Sequence, residues 1–108
     1  SEGIEGNEVW GTRGNWVSLS GKIKDEHISV VILDNPSNPG FPTYWHARGY
    51  GLFAANPLGQ KALSGGKEEL NFKLKANEAV TFKYRISVLS GDRVEDSIIR
   101  EEYLKWVK

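Results

Sequence analysis

The stretch WVSLSGKIKDEHISVVILD, residues 16–34, decides the fold of this 108-residue chain. Its first half alternates, with Val17, Leu19 and Ile23 on one side and polar residues on the other, which is the pattern of a half-buried strand. After a polar turn, the short β-branched run at residues 30–33 is typical of a strand covered on both faces. The stretch therefore predicts a hairpin whose second strand is central in a sheet.

The region downstream of residue 59 adds two strands and a helix to this hairpin. Apolar residues alternate over residues 70–74 and 80–88, which predicts two antiparallel strands. Residues 94–107 have apolar side chains at helical spacing, and Asp92 or a nearby acidic residue is expected to cap that helix. The predicted fold is mainly β, an antiparallel β-sandwich with one C-terminal α-helix. One helix does not cover both faces of a sheet, so a second sheet or a partner must cover the other face.

Composition excludes several functional classes. Lys and Arg together number 14 and match the 14 Asp and Glu, so no net positive charge attracts nucleic acid. No stretch approaches the roughly 18 consecutive apolar residues of a membrane span. The chain has no Cys and two His, so we expect neither a metal site nor a cofactor. It also has no Met, which suggests that the sequence starts partway through a longer gene.

Residues 35–59 form a long segment in which function is to be sought. The segment holds all four prolines, which exclude a helix or central strand over much of its length. Five of the twelve aromatic residues of the chain fall within residues 41–53. Because disordered segments are poor in aromatic residues, we expect an ordered loop.

The centre of this loop carries the candidate binding residues. In an extended segment Tyr44, His46 and Arg48 point one way and Trp45 the other. Such a surface can bind a polyol, a carboxylate or a phosphate, and His46 is the best candidate for acid–base catalysis. In the alternative interpretation, Tyr44 and Trp45 are core residues, while His46 and Arg48 satisfy backbone carbonyls.

Two residues near the start of the chain extend the predicted site. Trp10 and Arg13 lie in the sequence WGTRGNW, residues 10–16, and would continue the same polar and aromatic surface if this segment lies beside residues 44–50. The alternative is a Trp pair that covers a sheet edge with Arg13 stacked between the rings. The sequence has no G-x-S-x-G motif or triad spacing, so it does not decide whether the protein is an enzyme.

The run DNPSNPGFPTYWHARGYGLFAANPLG, residues 34–59, resembles the C-terminal part of a bacterial family of unknown function labelled methane oxygenase PmoA. With the flanking strands, the similarity spans nearly the whole chain. The residues that carry it, in order, are Trp45, His46, Arg48, Gly51, Phe53, Asn56, Pro57 and Gly59. Methane oxidation itself is not expected, because a membrane oxygenase needs spanning helices and metal ligands.

The resemblance implies a β-sandwich of the galactose-mutarotase kind that binds or acts on carbohydrates, in an extracytoplasmic location. It also implies that residues 1–108 are either a single sandwich domain or the C-terminal portion of a larger one. Where many relatives have His-Pro, this sequence has Asn35-Pro36, so no acid–base or metal role is expected there.

Two functional hypotheses follow. The first is a carbohydrate-associated domain, hydrolase-like or epimerase-like if it is an enzyme, in which the six candidate residues contact sugar. The second is a non-catalytic structural or interaction module whose Pro/Trp-rich loop packs a partner sheet. In either case, we expect the chain either to associate with copies of itself through an exposed sheet or edge or to be marginally stable alone.

Overall fold

A computed structural model describes residues 1–91 and 94–108 of the chain. The strands are β1 (Thr12–Arg13), β2 (Trp16–Ile23), β3 (Glu26–Asp34), β4 (Tyr44–Ala47), β5 (Phe53–Ala55) and β6 (Tyr84–Ser90). The helices are α1 (Gln60–Leu63), α2 (Asp96–Trp106) and two 3-10 turns at Gly6–Val9 and Pro57–Gly59. The prediction of a mainly antiparallel β-fold with a C-terminal helix is confirmed.

The larger sheet has the order β2-β3-β6, with antiparallel pairing throughout. In its register Leu19 pairs with Val30, which in turn pairs with Val88. Lys24 and Asp25 have positive φ values of 48° and 66° in the two-residue turn between β2 and β3. This backbone geometry is that of tight hairpin turns. The predicted hairpin and the central place of its second strand are confirmed.

Helix α2 packs on one face of this sheet and forms the core with it. The sheet contributes Trp16, Val31 and Leu33, and α2 contributes Ile99 and Tyr103. This face also carries serines, and three of them have paired hydroxyls. Those of β2 and β3 bond to each other at 2.9 Å, and that of β6 donates to a glutamate of α2 at 2.6 Å. The hydroxyls therefore do not oppose burial of the face.

The opposite face of the β2-β3-β6 sheet is apolar and open to solvent. We call it the open face; its exposed or half-buried apolar side chains are Leu19, Ile23, Ile28, Val30, Ile32, Ile86 and Val88, and the register also places Val17, Gly21, Glu26 and Ser90 on it. Ile86 and Val88 are 66% and 67% exposed, although this side of an isolated antiparallel sheet is normally polar. The expectation that residues 30–33 are covered on both faces is therefore met on one face only.

The smaller sheet has the order β1-β4-β5 and adjoins the larger one where the chain passes from β1 to β2. The N–H of Asp34, at the end of β3, donates to the carbonyl of Asn15 at 2.8 Å and joins the two sheets. A cis peptide bond precedes Pro42 in the loop that leads to β4.

Two details differ from the sequence prediction. No strand forms at residues 70–74, because Asn71 adopts a φ of 50°, which breaks the extended alternation. The strand predicted from residue 80 begins at Tyr84, although Phe72 and Phe82 still contact each other with ring centroids 6.1 Å apart. The predicted helix forms, whereas the cap proposed at Asp92 lies outside the described residues.

Candidate functional site

A buried polar cluster anchors the start of the proline-rich loop. The Asp34 carboxylate accepts hydrogen bonds from the Asn38 side chain at 2.7 Å and from the Thr43 N–H at 2.9 Å. Asn38 also bonds to both the carbonyl and the N–H of Lys83, each at 2.7 Å. These bonds tie residues 34–43 to the segment that leads into β6, so the loop is held at both ends.

Burial and hydrogen bonding act in opposite directions on the ionisation of Asp34. Its burial raises the pKa of the carboxyl, because the charged form loses its hydration. The hydrogen bonds from Asn38 and Thr43 oppose that increase by stabilising the carboxylate. The carboxylate therefore depends on the donors of the loop for its stability.

A second set of contacts holds the other side of the loop. The Arg13 guanidinium donates to the carbonyls of Pro42 at 2.9 Å and Gly40 at 3.2 Å, and it pairs with Glu68 at 2.8 Å. The Tyr44 hydroxyl donates to the same Glu68 carboxylate, and Arg13 lies over the Tyr44 ring at 5.1 Å. Burial raises the pKa of Tyr44, and the neighbouring Glu68 adds to this effect. These groups hold the loop together and leave Arg13 few donors for a ligand.

Trp45 is part of the interior of the small sheet. Its side chain is 1% exposed, and its Nε1–H donates to the carbonyl of Gly14 at 2.9 Å. Tyr44 is also buried. Neither ring presents a face on which a sugar could stack.

Three of the predicted residues form one half-buried group, which we call the Trp10 cluster: Trp10, His46 and Arg48. The Arg48 guanidinium lies 3.9 Å from the centroid of the Trp10 ring, and the His46 ring lies 3.9 Å from it at an angle of 70°. Cation–π attraction explains the position of Arg48. Tyr50, which follows closely in sequence, is 82% exposed.

The structure therefore divides the six predicted residues into two groups. It brings Trp10, His46 and Arg48 together, and it uses Arg13, Tyr44 and Trp45 to build the loop. The sequence analysis missed Asp34, Asn38 and Glu68, which position that loop. The sequence at residues 34–38 is typical of turns in which Asp and Asn side chains bond to nearby backbone, and this pattern could have indicated Asp34 and Asn38. Glu68 comes from a distant segment and had no local signal.

Two grooves on the surface lie apart from the Trp10 cluster. The larger, of about 380 Å³, runs between residues 1–6, β2 and the start of α2. The smaller, of about 250 Å³, lies between α1 and residues 69–72. Neither is lined by His46 or Arg48. The cluster therefore lies outside both grooves, and a cleft is where catalytic groups usually lie.

Two further features bear on function. Within residues 1–91 and 94–108, no group of three or more His, Asp or Glu side chains is placed to hold a metal ion. None of the helices in the described part of the chain has the length and apolar character needed to cross a membrane.

Comparison with known protein families assigns the chain to one of them. Residues 1–102 match the model of a family described as a family of unknown function, DUF6807. The chain belongs to this family. No curated protein and no solved structure matches it. A functional proposal for this DUF6807 chain therefore rests on its own residues.

Proposed function

We propose that this DUF6807 chain is a non-catalytic interaction module, which packs the open face of its β2-β3-β6 sheet against an apolar surface of a partner. The observation that carries the proposal is the exposure of this face. Its central rows hold Ile32 and Ile86, and next to them Leu19, Val30 and Val88, with no charged side chain among them. Val17, which pairs with Ile32, is itself buried.

Burial of such a face is strongly favoured. The largest apolar patch on a typical monomeric protein measures about 300–600 Å² and is often a binding surface. Helix α2 already occupies the other face, and in the described residues no element lies across this one to exclude water from Ile86 and Val88. A partner surface would remove these side chains from water at about 25 cal/mol per Å² of apolar area.

The proline-rich loop supports an interaction module more than a ligand site. Tyr44 and Trp45 are buried, as the second sequence hypothesis requires, and Arg13 is engaged by loop carbonyls and Glu68. That hypothesis also expects bonds from His46 and Arg48 to backbone carbonyls, and the described residues form none. Groups that are fully used within the fold are not free to bind a substrate. This division of roles favours a structural function for the loop.

The proposal is tested with substitutions that charge the open face without entering the core. Ile86→Lys is expected to abolish retention on a phenyl matrix and binding of an apolar fluorescent dye. Ile98→Lys on α2, where the side chain is 55% exposed, is the matched control and is expected to keep both. Circular dichroism checks that both variants fold. If wild type binds neither dye nor matrix, or if Ile98→Lys has the same effect as Ile86→Lys, the proposal is wrong.

A second candidate function, carbohydrate contact, is favoured by the Trp10 cluster. The part of the chain that the structure describes gives the side chains of His46 and Arg48 no hydrogen-bond acceptor, so their donors are available. A guanidinium fork with an imidazole beside it suits the carboxylate of an acidic sugar. His46 is the acid–base group if the domain is catalytic.

Calorimetric titration with neutral and uronic-acid oligosaccharides tests this second candidate. We expect the uronic acids to bind, and the double variant His46→Ala, Arg48→Ala to lose that binding. Arg85→Ala is the matched control, because Arg85 also lies over a tryptophan ring, at 5.8 Å from the centroid of Trp106. Binding that survives in the double variant would refute the site.

A further inference from the structure

We infer that the partner of the open face is a second copy of this chain, so that two β2-β3-β6 sheets pack face to face as a sandwich. The inference rests on the proposed function and adds the identity of the partner. It is argued from the charge of the chain, the middle position of β3 in the face and the area of the face.

The charge of the chain permits two copies to approach. Lys and Arg number 14, Asp and Glu number 14, and the formal net charge is zero. Proteins without net charge lack the mutual repulsion that keeps copies apart. The open face adds no local repulsion, because its three central rows hold only apolar residues, Gly21 and Ser90.

The face is also suited to pairing with itself. In a two-fold arrangement the same patch is used by both copies. Because β3 is the middle strand, an axis over the centre of the face places β3 of one copy over β3 of the other. The central residue of the face, Val30, is smaller than Leu19 and Ile86 at the flanks, so side chains near the axis do not obstruct sheet packing at about 10 Å.

The area of the face sets the strength of the dimer. Three strands about 4.8 Å apart and about seven residues long give roughly 300 Å² in projection for each copy. The two faces together thus fall below the roughly 1,200 Å² that separates stable interfaces from weak ones. We therefore expect a weak dimer whose population depends on concentration.

Sedimentation velocity of the 108-residue chain between about 5 and 500 μM measures this equilibrium. Wild type is expected to shift from monomer to dimer over that range. Ile86→Lys and, independently, Leu19→Lys on β2 are expected to weaken the dimer at least tenfold, since each inserts a charge into the interface. Both side chains are exposed, so the monomer should keep its fold. Ile98→Lys is expected to dimerise like wild type.

A labelling experiment identifies the surface directly, because the chain has no cysteine of its own. The maleimide reaction of Ile86→Cys is expected to slow at least threefold between 5 and 500 μM protein. Leu104→Cys, on the exposed side of α2, is expected to react at a constant rate.

The outcomes separate this inference from the proposed function. If wild type stays monomeric at 500 μM but still binds the apolar dye through Ile86, the second copy is the wrong partner and the interaction module stands. If a dimer forms that Ile86→Lys and Leu19→Lys leave unchanged, association runs through a sheet edge or another surface, and the inference is overturned. If the dye does not bind either, the proposed function fails with it.

Discussion

Substitution of Asn38 by alanine tests whether the buried polar cluster holds the loop in place. The Asn38 side chain makes three hydrogen bonds, two to the backbone of Lys83 and one to the carboxylate of Asp34. A neutral hydrogen bond contributes about 1 kcal/mol and one to a charged group about 2 kcal/mol. We therefore expect Asn38→Ala to lower the free energy of unfolding by about 4 kcal/mol near pH 8.

Urea denaturation followed by circular dichroism measures this loss. A domain of this size has a total stability of about 5–15 kcal/mol, so the variant should have a much lower midpoint or be largely unfolded. Ser37→Ala is the control: its hydroxyl donates to Asn35 at 2.7 Å in an exposed turn, and its removal should cost only about 0.5 kcal/mol.

Dependence on pH gives the experiment a second readout. When Asp34 is protonated at low pH, its hydrogen bond to Asn38 is no longer charge-assisted and is worth about 1 kcal/mol. The difference between wild type and Asn38→Ala should therefore shrink by about 1 kcal/mol as pH falls through the pKa of Asp34. A loss below about 1.5 kcal/mol at pH 8, or one equal to that of Ser37→Ala, would refute the anchoring role of the cluster.

Three further predictions concern the same loop. Because burial raises the pKa of Asp34, the contribution of this residue to stability is full below about pH 4 and is lost as pH rises through the raised pKa. The difference in free energy of unfolding between wild type and Asp34→Asn, measured by urea denaturation, should therefore change with pH. A difference that stays constant contradicts this prediction. Trp45→Phe leaves the Gly14 carbonyl without its donor and opens a cavity, and thermal unfolding should report a loss of about 3 kcal/mol. Arg13→Lys keeps the charge beside Glu68 but loses the forked bonds to the loop, and should lower the free energy of unfolding by about 1–2 kcal/mol. Stability equal to that of wild type would show that the charge alone is enough to hold the loop.

The arrangement of the larger sheet explains why an interaction surface, rather than a cleft, is the main functional candidate. Helix α2 packs on the side of the sheet that carries Trp16, Val31 and Leu33, whose bulk matches Ile99 and Tyr103. The more continuous apolar side is left open. A sequence that places apolar residues on both sides of one sheet requires two covering layers, and the described residues provide one.

Local patterns determined a large part of this protein. The alternation over residues 16–23 and the β-branched run at 30–33 predicted β2, β3 and their hairpin, because side chains alternate with period two in any strand. The helical spacing after residue 94 predicted α2, because side chains on one face of a helix recur about every 3.6 residues. The cluster of aromatic residues at 41–53 marked an ordered loop, because such residues need burial.

Only the tertiary structure decided which side of the sheet is covered and which predicted residues meet. Alternation shows that Leu19 and Trp16 lie on opposite faces, but the choice between the faces depends on how α2 fits each of them. The grouping of Trp10 with His46 and Arg48 depends on segments over 30 residues apart, whose approach is set by the whole fold. In the same way, Asp34, Asn38 and Lys83 become one cluster only when the loop closes onto the start of β6, which no local pattern encodes.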